Sequence, residues 1–218
     1  IEEFMLMANE TVAQHLEIHQ LPVIYRIHEE PDPSKLEDFQ DTAAGFGYRL
    51  QADSKGNYPS KSFQKLMARI AHKPEQKFLA YLMLRSFKQA QYSRVNQGHF
   101  GLATACYTHF TSPIRRYPDL VIHRILKMVL EGTSSGARAD KLYSRLQEIA
   151  VHSSERERKS VEAEREIMRW LMARFMAERL GEEYQAVIIG VRKNGFFVEL
   201  LEHFVEGFVP VETVLDDF

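Results

Sequence analysis

The chain has 218 residues, 44% hydrophobic and 27% charged, with 28 Lys and Arg against 30 Asp and Glu and a formal net charge of −2. Such a balance suits a globular protein of one large domain, or one domain and part of another, and gives no overall basic field, so nucleic-acid contact must come from local patches. A single cysteine, Cys106, excludes an internal disulfide framework and a cysteine-rich zinc site; no membrane-length apolar run and no signal peptide stand out, so a reducing, cytoplasmic setting is expected.

Residues 1–19 have helical periodicity, with Ile1, Phe4, Met5, Ala8, Val12 and Leu16 as the expected core stripe. Glu2 and Asn9, seven apart, share a second stripe, which by itself reads as a solvated polar flank. A short strand follows over 23–28, then a turn at Glu29–Pro33. Ser34 and Glu37 have capping-box spacing and open a helix to about Ala44, closed by Gly45 and Gly47. Helices are predicted over 60–72, with Phe63, Leu66, Met67 and Ile70 inward, and from Pro74 to about Ala90. Residues 91–95 and 99–103, around Asn96-Gln97-Gly98, predict a hairpin.

Ser112 and Pro113 read as an N-cap and a first helical residue, with Pro118 as a kink or restart further on. Arg115 and Arg116 then fall in a first turn whose dipole disfavours cations. They either receive an anion such as phosphate, together with backbone amides and hydroxyls, or pair with carboxylates of neighbouring helices. His99 and His109 have no third ligand at a recognisable metal spacing and read as structural imidazoles. Residues 137–180 are mostly helical, with a break expected near His152–Ser154, a mixed-charge solvated run at 155–160, and an apolar stripe of Ile167, Trp170, Leu171, Phe175 and Met176. At Gly181 the pattern changes to strands over 184–191, 196–201 and 205–209, with a Lys193-Asn194-Gly195 turn. The first residue falls inside a helical pattern and the last inside a strand pattern, so a piece of a longer polypeptide is expected.

The segment YTHFTSPIRRYPDL followed by VIHR resembles the signature of the ribonuclease II and ribonuclease R family of 3′-to-5′ exoribonucleases, nearest its bacterial ribonuclease R branch. IEEFMLMANE, YRIHEEPDPSKL, LRSFKQAQYS and GHFGLA agree with it in order, so the resemblance covers essentially the whole chain. It implies an α+β fold: residues 1–180 as the mainly helical C-terminal portion of an RNB catalytic domain with short strands, and 181–218 as the truncated start of an S1 module, an OB-type barrel.

The resemblance also implies roles. Arg115 matches the family's catalytic arginine, with Thr111, Ser112, Arg116 and Tyr117 as RNA or phosphate supports. A glutamate of the EE pair, Glu2 or Glu3, would meet the RNA sugar, whose 2′-OH can donate to a carboxylate, with Asn9 on the Glu2 stripe. Glu164, in the AERE segment, would neighbour Arg115 and hold or tune it. Phe197 and His203 are S1 stacking candidates, although Phe197 equally suits a barrel core and Asn194 stands where many S1 modules carry an aromatic.

The activity implied is metal-assisted hydrolysis of single-stranded RNA to nucleoside monophosphates, with Mg²⁺ in the complete enzyme. The family's aspartate cluster is expected upstream of this chain, as are the rest of the RNB domain and cold-shock-type domains; here Asp32, Asp41, Asp53, Asp119 and Asp140 are scattered and Asp216 and Asp217 lie in the tail. No metal is therefore expected on this fragment alone, and no activity. The alternatives are a non-catalytic RNA-binding protein and a helical scaffold whose basic pair is an ion-pair network.

Overall fold

A computed structural model describes residues 1–54 and 56–214; the Asp216–Asp217 pair lies outside the described residues. Two compact units are present, Ile1–Arg158 and the stretch from Lys159 onward. The first runs α1 (Glu2–Ile18), β1 (Tyr25–Ile27), α2 (Pro33–Gly45), α3 (Ser60–Ile70), α4 (Gln76–Ser86), β2 (Gln91–Ser93), α5 (Tyr117–Leu130), α6 (Ala137–Tyr143) and the first part of α7 (Leu146–Ala177).

Two apolar cores hold the first unit. Ala13 and Leu16 of α1, Val23, Ile24, Tyr25 and Ile27 around β1, Val121, Ile122 and Ile125 of α5, and Leu146, Ile149 and Ala150 of α7 share one. Phe39 and Ala43 of α2, Phe63, Leu66 and Ile70 of α3, and Leu79 and Met83 of α4 share the other. Fully burying each such Leu, Ile or Phe contributes roughly 1.5–3 kcal/mol, so the first core fixes how α1 and α5 meet β1.

Several expectations are corrected. Along α1 the buried residues are Asn9, Ala13 and Leu16, while Ile1, Phe4 and Met7 are exposed. Leu16 and Val12 of the expected stripe still pack in the first core, and the Asn9 amide lies beside them with hydrogen-bond partners inside. Asp32, not Ser34, caps α2, accepting from the amides of Ser34 and Lys35, with Pro33 as first helical residue. No hairpin forms at 91–103: β2 pairs antiparallel with β1, Arg26 opposite Tyr92. Phe100–Leu102 instead winds into a 3₁₀ turn, with Phe100 packed edge-on against Phe63 and Phe87.

The helix predicted from Ser112 starts only at Tyr117, and Pro118 lies in its first turn, where a missing N–H costs nothing. Residues 112–116 form a tight turn, the amides of Arg115 and Arg116 both donating to the Ser112 carbonyl at 3.3 and 3.1 Å. Helix α7 runs unbroken through His152–Ser154, where the Ser154 hydroxyl bonds back to the Ala150 carbonyl and accepts from the Tyr92 amide; the break lies between α6 and α7.

The second unit contains the rest of α7 and a three-stranded antiparallel meander of β3 (Ala186–Arg192), β4 (Gly195–Leu200) and β5 (Glu206–Pro210). Gly195 is required at the β3–β4 turn: its φ is +151°, and a Cβ there would lie 2.2 Å from the Val209 carbonyl oxygen. The meander supplies the expected strands; a closed barrel is not formed by the described residues. The α7 stripe is not core: Ile167, Trp170, Leu171 and Phe175 are all exposed, and the guanidiniums of Arg174 and Arg179 lie over the Trp170 and Phe175 rings at 5.7 and 3.7 Å.

Candidate functional site

The stretch between β2 and α5 is held from beneath by buried polar side chains. The Thr108 hydroxyl, 1% exposed, donates to the Ile24 carbonyl at 2.6 Å. The Arg26 amide donates to the Tyr107 carbonyl at 2.9 Å, extending the β1 ladder to this strand-like run. Asn9 reaches across from α1: its Oδ1 accepts from the amides of Phe110 and Thr111 at 2.9 and 3.2 Å, and its Nδ2 donates to the Tyr107 hydroxyl at 2.9 Å. His123 of α5 donates through Nε2 to the Phe110 carbonyl at 2.8 Å and stacks on the Phe110 ring, centroids 4.0 Å apart. Phe110 is thereby fixed by main chain and ring together.

Asp119 does the same for the turn itself. It is fully buried, and its Oδ1 accepts from the Ser112 amide and from Nη2 of Arg116, each at 2.8 Å. A carboxylate in the first turn of α5 also suits the helix dipole. Thr111 Oγ1, Arg116 Nε and Asp119 Oδ2 are sealed from solvent without hydrogen-bond partners among the described residues.

Above this base the chain is open. Ile114 is fully exposed, Arg115 is exposed, and Tyr117 is 47% exposed. The Arg115 side chain makes no hydrogen bond or ion pair with the described residues, whereas the Arg116 guanidinium is tied to Asp119. The motif therefore divides its two arginines: one is structural and the other presents its guanidinium outward. A fork so placed matches a phosphate or carboxylate arriving from outside.

The imidazoles around the loop are kept neutral. Burial, then the charges of Arg116, Arg26, His99 and Arg115, push His109 down to about 3. Burial, then His28 and Arg26, push His99 down to about 4. His109 Nδ1 is 2.8 Å from the Tyr92 hydroxyl, and its ring packs edge-on to Tyr92 and Tyr107. Tyr92 is itself held by the Arg26 guanidinium, 4.8 Å from its ring centroid, and Arg26 makes a two-pronged pair with Glu157 at 2.6 and 3.1 Å. Burial raises Tyr92 to about 12, so its hydroxyl keeps its proton.

The structure brings Asn9, Thr111, Ser112, Arg115, Arg116 and Tyr117 into one loop assembly. Asn9, expected as an RNA contact, is 3% exposed with its amide bound to the loop, so its role is to position. Glu2 and Glu3 are exposed in the first turn of α1. At 100° per residue Glu2 shares the azimuth of Asn9, about 10 Å along the axis, and Glu3 does not. Glu164 is exposed on the part of α7 in the second unit.

Phe197 and His203 do not stack on one another. Phe197 pairs with Phe208 across β4–β5, centroids 5.0 Å apart. His203 packs edge-on to Phe175 and Tyr184, beside a groove of about 360 Å³ lined also by Leu171, Met172 and Val205. Sequence reasoning missed Asp119, Thr108 and Tyr92. Only Asp119 carries a local signal, an acid three residues after a basic N-cap in a helix opened by proline. Among the described residues no three His, Cys, Asp or Glu side chains are grouped so as to hold a metal ion.

Comparison with known proteins gives concordant matches. The RNB domain family model matches residues 1–132. Ribonuclease R 1 of Lactococcus lactis subsp. lactis (strain IL1403) is 48% identical over 218 residues, which is all of this chain and 26% of the relative. Ribonuclease R of Aquifex aeolicus (strain VF5) is 46% identical over 217 residues, again the whole chain and 30% of the relative. A solved structure of Mycoplasma genitalium RNase R in complex with ribose methylated single-stranded RNA superposes with a TM-score of 0.92 at 30% identity, over all of this chain and 34% of that one. The chain thus spans between 26% and 34% of the length of these relatives.

Proposed function

The chain belongs to the RNB domain family, and on that premise we propose that it is part of a 3′-to-5′ exoribonuclease that hydrolyses single-stranded RNA to nucleoside monophosphates. The observation that carries this is the unpartnered Arg115 guanidinium, presented by a turn that buried groups clamp from beneath. The relative solved in complex with ribose methylated single-stranded RNA supports the ligand class.

In this reading Arg115 pairs with the non-bridging oxygens of the terminal phosphodiester and stabilises the charge that builds there during attack by water, a contribution of about 3 kcal/mol for one well-placed donor. Asp119, Arg116, Asn9 and Thr108 hold the backbone of the turn from which the guanidinium projects. Glu2, on the Asn9 stripe, accepts from a ribose 2′-OH and favours RNA over DNA. Ser112 and Thr111 border the phosphate, and Tyr117 offers an exposed ring to a base or sugar. Glu164 is proposed to tune Arg115, and Phe197 and His203 to meet RNA from an S1-type module beginning near residue 181.

The described residues do not fit a metal, so the steps assigned to this chain are binding and orientation. The Mg²⁺ ligands are assigned to the upstream part of the RNB domain, beyond which cold-shock-type domains are expected, in a cytoplasmic enzyme; no described helix is long and apolar enough to cross a membrane.

The test uses 5′-labelled single-stranded RNA. The chain is expected to bind it with an affinity that falls as salt rises, and to leave it uncut in Mg²⁺. Arg115→Ala should weaken binding about tenfold with circular dichroism unchanged, a charge-assisted contact being worth roughly 1.5–3 kcal/mol. Equal affinity for RNA before and after that substitution removes the assignment.

A further inference from the structure

The loop contains a second polar group with an unpartnered ring nitrogen that is not sealed from solvent. We propose that His109 is a further RNA-contacting residue, presenting an uncharged Nε2–H donor to a sugar or phosphate oxygen of the strand that Arg115 holds. The inference rests on the reading of the loop as an RNA site.

Geometry sets the tautomer. The Tyr92 side chain is buried, and among the described residues its hydroxyl has no acceptor other than His109 Nδ1, at 2.8 Å. If Nδ1 carried the ring proton, the hydroxyl would accept from it and its own proton would be left buried without a partner, at a cost of roughly 1–3 kcal/mol. The hydroxyl therefore donates, Nδ1 accepts, and the ring proton resides on Nε2. That nitrogen makes no hydrogen bond to the described residues, yet it is not among the polar atoms sealed inside the loop. Edge-on packing against Tyr92 and Tyr107 fixes the ring plane, so Nε2–H has one direction.

The surroundings choose the ligand. The charges that bear on this ring, those of Arg116, Arg26 and Arg115, are all positive, which keeps the imidazole neutral and draws an oxygen acceptor toward its donor. A neutral donor beside a guanidinium suits an RNA strand, whose sugar hydroxyls and phosphate oxygens lie within a few ångströms of one another. It adds no charge that would hold the product back.

The experiment follows the histidine ring nitrogens of the ¹⁵N-labelled 218-residue chain by long-range ¹H–¹⁵N correlation, before and after saturation with single-stranded oligoadenylate RNA. His109 should show a protonated Nε2 and an unprotonated Nδ1, and only Nε2 should shift strongly when RNA binds. The reverse tautomer, or a ring signal unmoved at saturation, overturns the proposal. His109→Asn, whose amide is too short to reach the Nε2 position, should weaken RNA binding about fivefold, the worth of one neutral hydrogen bond, and His109→Gln should recover part of that loss. Should Arg115→Ala weaken binding while His109→Asn leaves it unchanged in a folded chain, the His109 role fails and the RNA site stands. If the unsubstituted chain binds no RNA, both fail together.

Discussion

Between residues 108 and 119 polar side chains lie inside the protein: Thr108 at 1% exposure and Asp119 at 0%, with Asn9 of α1 at 3% beneath them. Along the later part of α7 and around the β3–β5 meander large apolar side chains lie outside, with Trp170 at 60% and Phe204 at 61% exposure. In the first region the amides of Phe110, Thr111, Ser112, Arg115 and Arg116 each have a specific acceptor, which fixes the backbone there. In the second, exposed rings meet both guanidiniums and other rings, as Phe175 meets Arg179 and His203. A phosphate-orienting group needs fixed direction, and only the first region supplies it. Exposed rings suit sequence-tolerant stacking, where a base may slide without loss.

The comparison is tested most severely at Asp119. Asp119→Ala leaves the half-buried Arg116 guanidinium without its counter-charge and the Ser112 amide without an acceptor. The expected loss is about 3 kcal/mol, read as a fall in the urea midpoint at unchanged slope. Should stability barely change, the turn is not braced from beneath and the contrast between regions collapses.

Next is the inversion within α1. Asn9→Ala strands the amides of Phe110 and Thr111 and should cost about 2 kcal/mol. Phe4→Ser, at a position 77% exposed, should change stability by no more than about 0.5 kcal/mol. Hydrophobic periodicity alone ranks these two the other way round, so one denaturation experiment separates the structure from the pattern.

That reversal shows what the chain made legible. The apolar spacing of α3 correctly marks Phe63, Leu66 and Ile70, because that helix buries an ordinary apolar face. The motif around Arg115 is legible as chemistry, and its resemblance names the family. The start of α5 was misplaced because Ser112–Pro113 is a good cap by local rules, while the Ser112 amide is taken by Asp119, seven residues on. The hairpin failed similarly: residues 91–93 found β1, more than sixty positions earlier in the chain. Partners distant in sequence leave no local trace, and the loop is built from them, with Asn9 reaching residue 110 and Ile24 reaching Thr108.

Acid provides a milder probe of the same region. His99 and His109 are depressed to about 4 and about 3, below the ordinary 6.5, so the unfolded chain binds more protons than the folded one in that interval. Stability should rise with pH from about 4 to 6.5 and level off above 7, each proton contributing at most about 1.4 kcal/mol per pH unit. His109→Gln removes one of these protons and should flatten the slope. A slope that is the same with and without His109 would place the acid sensitivity elsewhere, and the polar interior of the first region would then be less costly to protonate than its packing implies.

The smallest effect is expected in the second region. The Arg179 guanidinium lies 3.7 Å from the Phe175 ring centroid and donates to the Phe175 carbonyl at 2.9 Å, close to the end of α7. Exposed cation–π contacts of this kind contribute about 0.5–1 kcal/mol, so Arg179→Ala should lower the thermal midpoint only slightly, and less at high salt in the unsubstituted chain. Its effect on RNA affinity should be correspondingly small, because a ring uncovered by that change can still stack. If Arg179→Ala instead cost as much as Asp119→Ala, the cation would be a brace rather than a cover. The second region would then be held as rigidly as the loop, and the division between a directing surface and a tolerant one would have to be abandoned.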